Sequence, residues 1–413
     1  MPASTKSWPH WYTVVLLCGV AVFISYIDRT NISVAAIAMQ EQFQWTETTK
    51  GYVLSSFFVG YLVFMAASGA LANRFGGRIV LGAAVLWWSL FTALTPPAAA
   101  ISLGALIAAR IALGLGEAAV FPASINMVGR WVPVASRSKA VALFSSGLSL
   151  GTMVSLPMTG KMVQAYGWPV PFYVFGALGL VWAVFWFGKV REGSAPELGE
   201  VTTGASKTSR TIPWGRLLTT PAVWAIVVAH FCSNWSLYVL LAWLPSYFNR
   251  TFGVSLAGAG WLSAAPWFAY FVMANVGGAW ADRMMKNGRS PTFVRKFMQL
   301  TALIGASGFL LLLPFAPSAA AGTAIMFGAC GTLAFCLSGF AANPFDVAPK
   351  YADVVWGISN TMGTAPGIIG VAVTGWLVDR TGSFSAPLIL TAAVGGVGAI
   401  VYAAIGSGER KVD

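Results

Sequence analysis

Two charged pairs stand where the chain is otherwise hydrocarbon. Asp28 and Arg29 lie inside the apolar run from Val20 to Ile37, and Arg110 and Glu117 lie inside a fourth such run. An ionisable group at membrane depth costs about 2.5–3.5 kcal/mol even on lenient insertion scales, so residues of this kind mark function. Arginine stays protonated and offers a planar fork of donors that matches a carboxylate, which makes Arg29 and Arg110 candidate anion ligands. A carboxyl in a low-dielectric cavity takes up a proton more readily, which suits Asp28 and Glu117 to load and release protons. Two acids with two bases form a set that can move a proton together with an anion. The competing reading, two acid–base pairs that neutralise each other and pin helices together, stays open at this stage.

Spacing narrows the choices. Arg110 and Glu117 are seven residues apart, on one stripe of a helix and about 10 Å apart along its axis. They are too distant to form a tight pair, so each is available to the first segment or to a substrate. Asp28 and Arg29 are neighbours whose side chains point about 100° apart, with Asn31 one turn on near the Asp28 face.

These residues need a frame of helices. The chain has 413 residues, of which 57% are hydrophobic and 9% charged; a soluble domain carries roughly a quarter charged. Apolar stretches of about 20 residues, enough to cross a bilayer as a helix, recur from a first centre near Val22 to a last near Val397, and twelve are expected. The net charge of +12 needs no nucleic-acid partner. Most basic residues, among them Arg74, Arg78, Arg130, Arg137 and Lys139, fall in the loops on the N-terminal side, and this asymmetry places both termini in the cytoplasm. Lys6 precedes an apolar run that ends near Ala36-Ile37-Ala38, but Asp28-Arg29 interrupts it, and it reads as an uncleaved first membrane helix. Cys18, Cys232, Cys330 and Cys336 sit in apolar segments and fit neither a disulfide framework nor a metal set.

The halves echo each other. Gly69-Ala-Leu-Ala-Asn73-Arg74-Phe-Gly76-Gly-Arg78 follows the second segment, and Gly277-Gly278-Ala-Trp-Ala-Asp282-Arg283 follows the eighth. A parallel repeat of this kind predicts two six-helix bundles with a site between them at the midplane. The expected division is a bundle over 1–190, a cytoplasmic linker over 191–215 and a second bundle over 216–413. The linker's end, Ile212 to Leu218, is amphipathic and suits the membrane interface, or equally reads as a plain loop. Pro122, Pro157, Pro245, Pro266, Pro344, Pro349 and Pro366 predict bends within spans. Gly147 and Gly151 in the fifth segment allow close helix approach.

Other polar residues in apolar segments are weaker candidates. Tyr26, Tyr61, Asn126, Asn234, Tyr238, Asn343, Ser359 and Asn360 suit hydrogen bonds to a polyol-like substrate, or equally to neighbouring helices. Asp346 and Lys350, near the expected cytoplasmic end of the tenth segment, read as a gate or a helix-end ion pair. His230 is read as a core residue outside the site. No nucleotide loop, metal-ligand pattern or nucleophile–base set is present, so neither an enzyme nor a cofactor beyond the coupling proton is expected.

The basic loops after the second and eighth segments resemble the major facilitator superfamily. Within it, Tyr26-Ile27-Asp28-Arg29-Thr30-Asn31, the string Arg110-Ile-Ala-Leu-Gly-Leu-Gly-Glu117 and Phe121-Pro122 are similar to the anion:cation symporter family. That family holds bacterial hexonate and hexuronate transporters, sialin and the vesicular glutamate transporters. His230-Phe231-Cys232-Ser233-Asn234-Trp235, Asp346-Val-Ala-Pro349 and Gly357-Ile-Ser-Asn360-Thr361 resemble sialin in particular. The resemblance implies an all-α membrane protein of twelve helices in two pseudo-symmetric bundles, monomeric by default. It implies proton coupling at Asp28 and Glu117, an anion site or charge switch at Arg29 and Arg110, and sugar-acid contacts at Tyr61 and Asn360. Asn73, Arg74, Arg78, Asp282 and Arg283 would form the conformational latches. Asn73 departs from the usual aspartate, Leu148 from a glutamine of galactonate-type members, and Ser233 from an arginine of the glutamate carriers.

The resulting expectation is a proton-coupled symporter of the cell inner membrane that imports an organic carboxylate, a sugar acid of the hexonate, hexuronate or sialic acid type. An organic anion exchanger or a phosphate carrier of the same fold is the alternative.

Overall fold

The computed structural model describes residues 10–133, 136–191 and 212–412. Most of the expected linker, 192–211, together with Lys6, Lys207 and Arg210, lies outside the described residues.

Among the described residues, twelve helices are long and apolar enough to cross a membrane. The first three spans are α1 (His10–Phe43), α2 (Glu47–Phe75) and α3 (Gly77–Ile101). The fourth is divided into α4 (Leu103–Glu117) and α5 (Val120–Trp131), followed by α6 (Arg137–Tyr166) and α7 (Pro169–Lys189). A short helix, α8 (Trp214–Thr219), leads into α9 (Pro221–Phe252), α10 (Leu256–Lys286) and α11 (Pro291–Leu312). The tenth span is α12 (Ala319–Leu333), continued by a 3₁₀ turn over Ala334–Leu337 and, beyond a turn, by the one-turn helix α13 (Pro344–Val347). Helices α14 (Ala352–Thr381) and α15 (Ser385–Ile405) complete the chain.

The two divided spans explain part of the proline pattern. Pro157, Pro245, Pro266 and Pro366 sit inside helices. Pro122 and Pro344 instead stand in the first turn of helices that restart after a break, where a missing N–H costs least. Pro122 cannot donate to the carbonyl four residues earlier, and Ser68 Oγ on α2 lies 3.1 Å from that orphaned Ala118 oxygen. Gly114 and Gly116 weaken the end of α4 further. The break leaves Glu117 as the last residue of α4.

Small residues set the helix spacing. A Cβ on Gly147 would stand 2.6 Å from the Gly19 carbonyl oxygen, and one on Gly151 2.5 Å from that of Phe23. Nothing larger than glycine fits there, and α6 consequently lies directly against α1. The same holds between α2 and α4, where a Cβ on Gly114 would stand 2.1 Å from the Phe57 carbonyl oxygen. This approach brings the charged stripe of α4 level with the aromatic residues of α2 and the Asp28–Arg29 step of α1. The first and second halves meet mainly along α2 with α14 and α6 with α10.

Candidate functional site: a buried arginine pocket between the halves

Arg29 and Glu117 form a buried ion pair across α1 and α4. Arg29 donates through Nη2 at 3.0 Å and Nε at 3.2 Å, both to Oε2 of Glu117. Its remaining edge faces aromatic rings: the Tyr26 hydroxyl accepts from Nη1 at 3.3 Å, and the guanidinium carbon lies 4.6, 4.7 and 4.8 Å from the ring centres of Tyr26, Phe57 and Tyr61. Such rings stabilise a desolvated cation by about 2 kcal/mol or more. Arg29 therefore keeps its charge in a dry site without depending on Glu117 alone.

Arg110 is placed differently. It is 1% exposed, its Nε and Nη1 make no hydrogen bond, and its guanidinium carbon stands 5.7 Å from the Phe57 ring centre. Its charged neighbours are Glu117, Asp28 and Arg29, yet among the described residues it forms no ion pair. Arg29 and Arg110 line one pocket with Ser33, Phe57, Phe58 and Tyr238. Tyr238 comes from α9 in the second half and packs against Phe58 of α2, the rings tilted by 51° with centroids 4.5 Å apart. The pocket is thus closed by both bundles and holds two guanidiniums, one of which has donors to spare.

The remaining predicted residues divide. Tyr26, Tyr61 and Tyr238 belong to the pocket or to the shell around Arg29. Asn360 donates to Met65 Sδ at 3.0 Å, across the seam between α14 and α2. Asn234 and Asn126 do not join the pocket. Asn234 donates to the Gly363 carbonyl at 2.7 Å and ties α9 to α14. Asn126 donates to Asn73 at 3.2 Å and accepts from the Gly77 amide at 3.0 Å, fastening α5 to the α2–α3 turn. It sits beyond the break at Ala118-Ala119 that separates α5 from the charged stripe. His230 is buried, stacked on Phe340 at 4.3 Å and hydrogen-bonded to Ser359.

The candidate latch residues are also accounted for. Arg78 donates to the carbonyls of Val190 at 2.6 Å and Phe187 at 3.2 Å, capping the end of α7. Arg74 stacks on Phe75, and Asp282 and Arg283 are exposed. Asp346 pairs at 2.6 Å with Arg295 of α11, not with Lys350, which is exposed.

Sequence reasoning passed over a second charged cluster at the other end of the molecule. Glu47, at the start of α2, bridges Arg250 of α9 at 2.8 Å and Lys50 at 2.6 Å. Lys50 is 2% exposed and also donates to Gln40 at 2.7 Å. Asp379 of α14 accepts from the backbone amides of Glu47 at 2.9 Å and Thr48 at 2.7 Å, and from the Thr48 hydroxyl. A carboxylate of one half thus caps the N-terminus of a helix in the other, where the helix dipole favours negative charge. Hydrogen bonds between the halves run from this cluster, by way of the Ala257 amide donating to Gln164, to Asn360–Met65. The molecule is locked at the Glu47 end.

Two helical bundles enclose a buried arginine pocket and are tied together at its Glu47 end. Residues 18–371 match the family model for the Major Facilitator Superfamily, and the chain belongs to that superfamily. It is a multi-pass transport protein rather than an enzyme. It is 37% identical over 417 residues to the chloroplastic ascorbate transporter of Arabidopsis thaliana, covering 99% of this chain and 77% of that protein. It is likewise 37% identical to sodium-dependent phosphate transport protein 1, chloroplastic, of the same plant, covering 99% and 81%. Among solved structures, a bacterial homologue of the human lysosomal transporter Spinster, inward-facing and occupied, shares the fold with a TM-score of 0.78 over 97% of each chain at 17% identity.

Proposed function

We propose that this protein is a proton-coupled symporter of an organic anion, a sugar acid in size and charge, working by alternating access between the two bundles. The observation that carries the reading is Arg110: a buried guanidinium with unused donors, lining the same pocket as an arginine already held by a glutamate. A pocket so charged attracts an anion and repels a cation. One relative is named for ascorbate, a six-carbon sugar-derived monoanion, which supports that class.

The cycle follows from the pairings. With the pocket open to the outside, protonation of Glu117 releases Arg29, and Arg29 and Arg110 together hold the anion. The halves then rock, and the Glu47–Arg250–Asp379 latch closes behind it. Deprotonation lets Glu117 reclaim Arg29, and the anion leaves through the end opposite Glu47. The arrangement in hand, latch closed and Arg29 on Glu117, corresponds to the state after release. The excess of basic residues in the loops opposite the Glu47 end supports a cytoplasmic side there with both termini, which suits import across a cell inner membrane.

A phosphate carrier or anion exchanger is the second reading. One relative is named for sodium-dependent phosphate transport, and an arginine fork binds phosphate as readily as carboxylate. Proteoliposome uptake of labelled hexonates, hexuronates, sialic acid, ascorbate and inorganic phosphate separates the readings when proton and sodium gradients are imposed in turn. Accumulation of a sugar acid or ascorbate driven by an inward proton gradient supports symport. Uptake that ignores the proton gradient and needs sodium or internal anion overturns it.

A further inference from the structure

Asp28 is the acid of the charged set that holds no arginine: Glu117 is paired with Arg29, whereas Asp28 forms no ion pair among the described residues. Neither acid lines the pocket, which Arg29 and Arg110 do, and the polar neighbours of Asp28 on α3 are Trp88 and Thr92. Those two are four residues apart, on one face of α3. Asp28, Asn31, Trp88 and Thr92 are all fully buried. Neither oxygen of Asp28, neither polar atom of Asn31, nor Trp88 Nε1 nor Thr92 Oγ1 makes a hydrogen bond of ordinary length and angle, but the Thr92 hydroxyl and the Trp88 N–H stand beside the Asp28 carboxyl as its loose hydrogen-bond donors. The charged groups facing Asp28 are Glu117 and Arg110, both on α4; α3 contributes the two neutral donors.

A buried polar group left unmatched costs about 1–3 kcal/mol, so several converging on one carboxylate amount to a built feature. Their chemistry is mixed. An indole N–H and a nearby guanidinium repel a metal cation, whereas a carboxylate that gains and loses a proton needs donors in one state and an acceptor in the other. The threonine hydroxyl supplies either by rotating; the indole only donates. Buried water, which typically makes about three hydrogen bonds, suits the remaining polar atoms.

We infer that Thr92 and Trp88 are positioning residues for proton coupling: with Asn31 they hold Asp28 in a polar chamber on the α3 side of Arg110, where it takes up and gives back its proton out of contact with the anion. Asp28 then acts on the pocket only through Arg110. When ionised it competes for that guanidinium, and when protonated it leaves Arg110 to the substrate. This deepens the proposed function by assigning the second acid a separate compartment.

The test reads Asp28 directly and needs no substrate. Infrared difference spectra of the purified full-length protein in lipid, taken between acid and alkaline pH, show the carbonyl stretch of protonated carboxyls, and the part lost in Asp28→Asn belongs to Asp28. In Thr92→Val and Trp88→Phe that band is expected at higher frequency, as for an acid stripped of hydrogen bonds. Its titration midpoint is expected to move by about one pH unit, a tenfold change in proton affinity. Thr92→Ser is expected to restore both. A band unchanged in both variants, or no Asp28 band at any pH, overturns the inference. Failure of symport in the uptake assay leaves this result standing, so the two readings fail separately. Should Thr92→Val not fold, Trp88→Phe, which keeps the ring, gives the same readout.

Discussion

Arg29 and Glu117 stand 88 residues apart in sequence and meet in the membrane interior through two hydrogen bonds to a single carboxylate oxygen. Oε1 of Glu117 makes none. A fork that spends two donors on one oxygen is geometrically incomplete. The pair holds Arg29 in place while leaving it available to a bidentate competitor, as a reversible switch requires.

Glu117→Gln is expected to abolish proton-driven accumulation in proteoliposomes while counterflow exchange of the same labelled anion continues. The amide cannot carry a proton, but Arg29 retains its aromatic cage. Equal loss of both activities in a well-folded variant contradicts the assignment.

Arg110→Gln separates function from stability. A buried charge without a partner is a burden, so the variant is expected to lose transport while its melting temperature holds or rises by a few degrees. Arg110→Lys is expected to weaken anion binding at least about tenfold, because a point charge does not replace the fork. A clear fall in the melting temperature of Arg110→Gln would show that the guanidinium is structural.

Asp379→Asn weakens the cap that joins α14 to the start of α2. Hydrogen bonds to a charged acceptor are about twice as strong as neutral ones. The open-mouth population is therefore expected to grow at least about tenfold, equivalent to about 1.4 kcal/mol. Spin labels at Gln44 and Ser383, both exposed, report it as a longer distance component. An unchanged distribution removes the latch role.

Gly114→Val would drive a branched side chain into the Phe57 carbonyl. Overpacking of this kind costs about 1–3 kcal/mol. The expected result is a lower melting temperature together with lost anion binding, since α4 carries Arg110 and Glu117. Unaltered binding would mean that the α2–α4 approach does not set the pocket.

The twelve spans were legible because hydrocarbon length and the basic loops are properties of the sequence itself. The helical spacing of Arg110 and Glu117 likewise excluded a pair within α4. Which acid holds which base was not legible: it depends on the rotation of α1 against α4, fixed by contacts such as Gly114 on Phe57. Asn126 stands away from the arginine pocket because the break at Ala118-Ala119 interrupts the helical register. The Glu47–Asp379 contact joins helix ends 332 residues apart, and neither residue carries a local signal beyond its charge. Trp88 and Thr92 read as ordinary members of an apolar helix until α1 is laid beside them.

The most direct test of the exchange between anion and glutamate is proton counting on binding. Ascorbate is added to purified, lightly buffered protein near neutral pH, and a pH dye records the change. An anion that displaces Glu117 from Arg29 should draw up to about one proton per protein from solution, and Glu117→Gln should abolish that uptake while binding persists. Binding without proton uptake, or the same uptake in Glu117→Gln, contradicts the account.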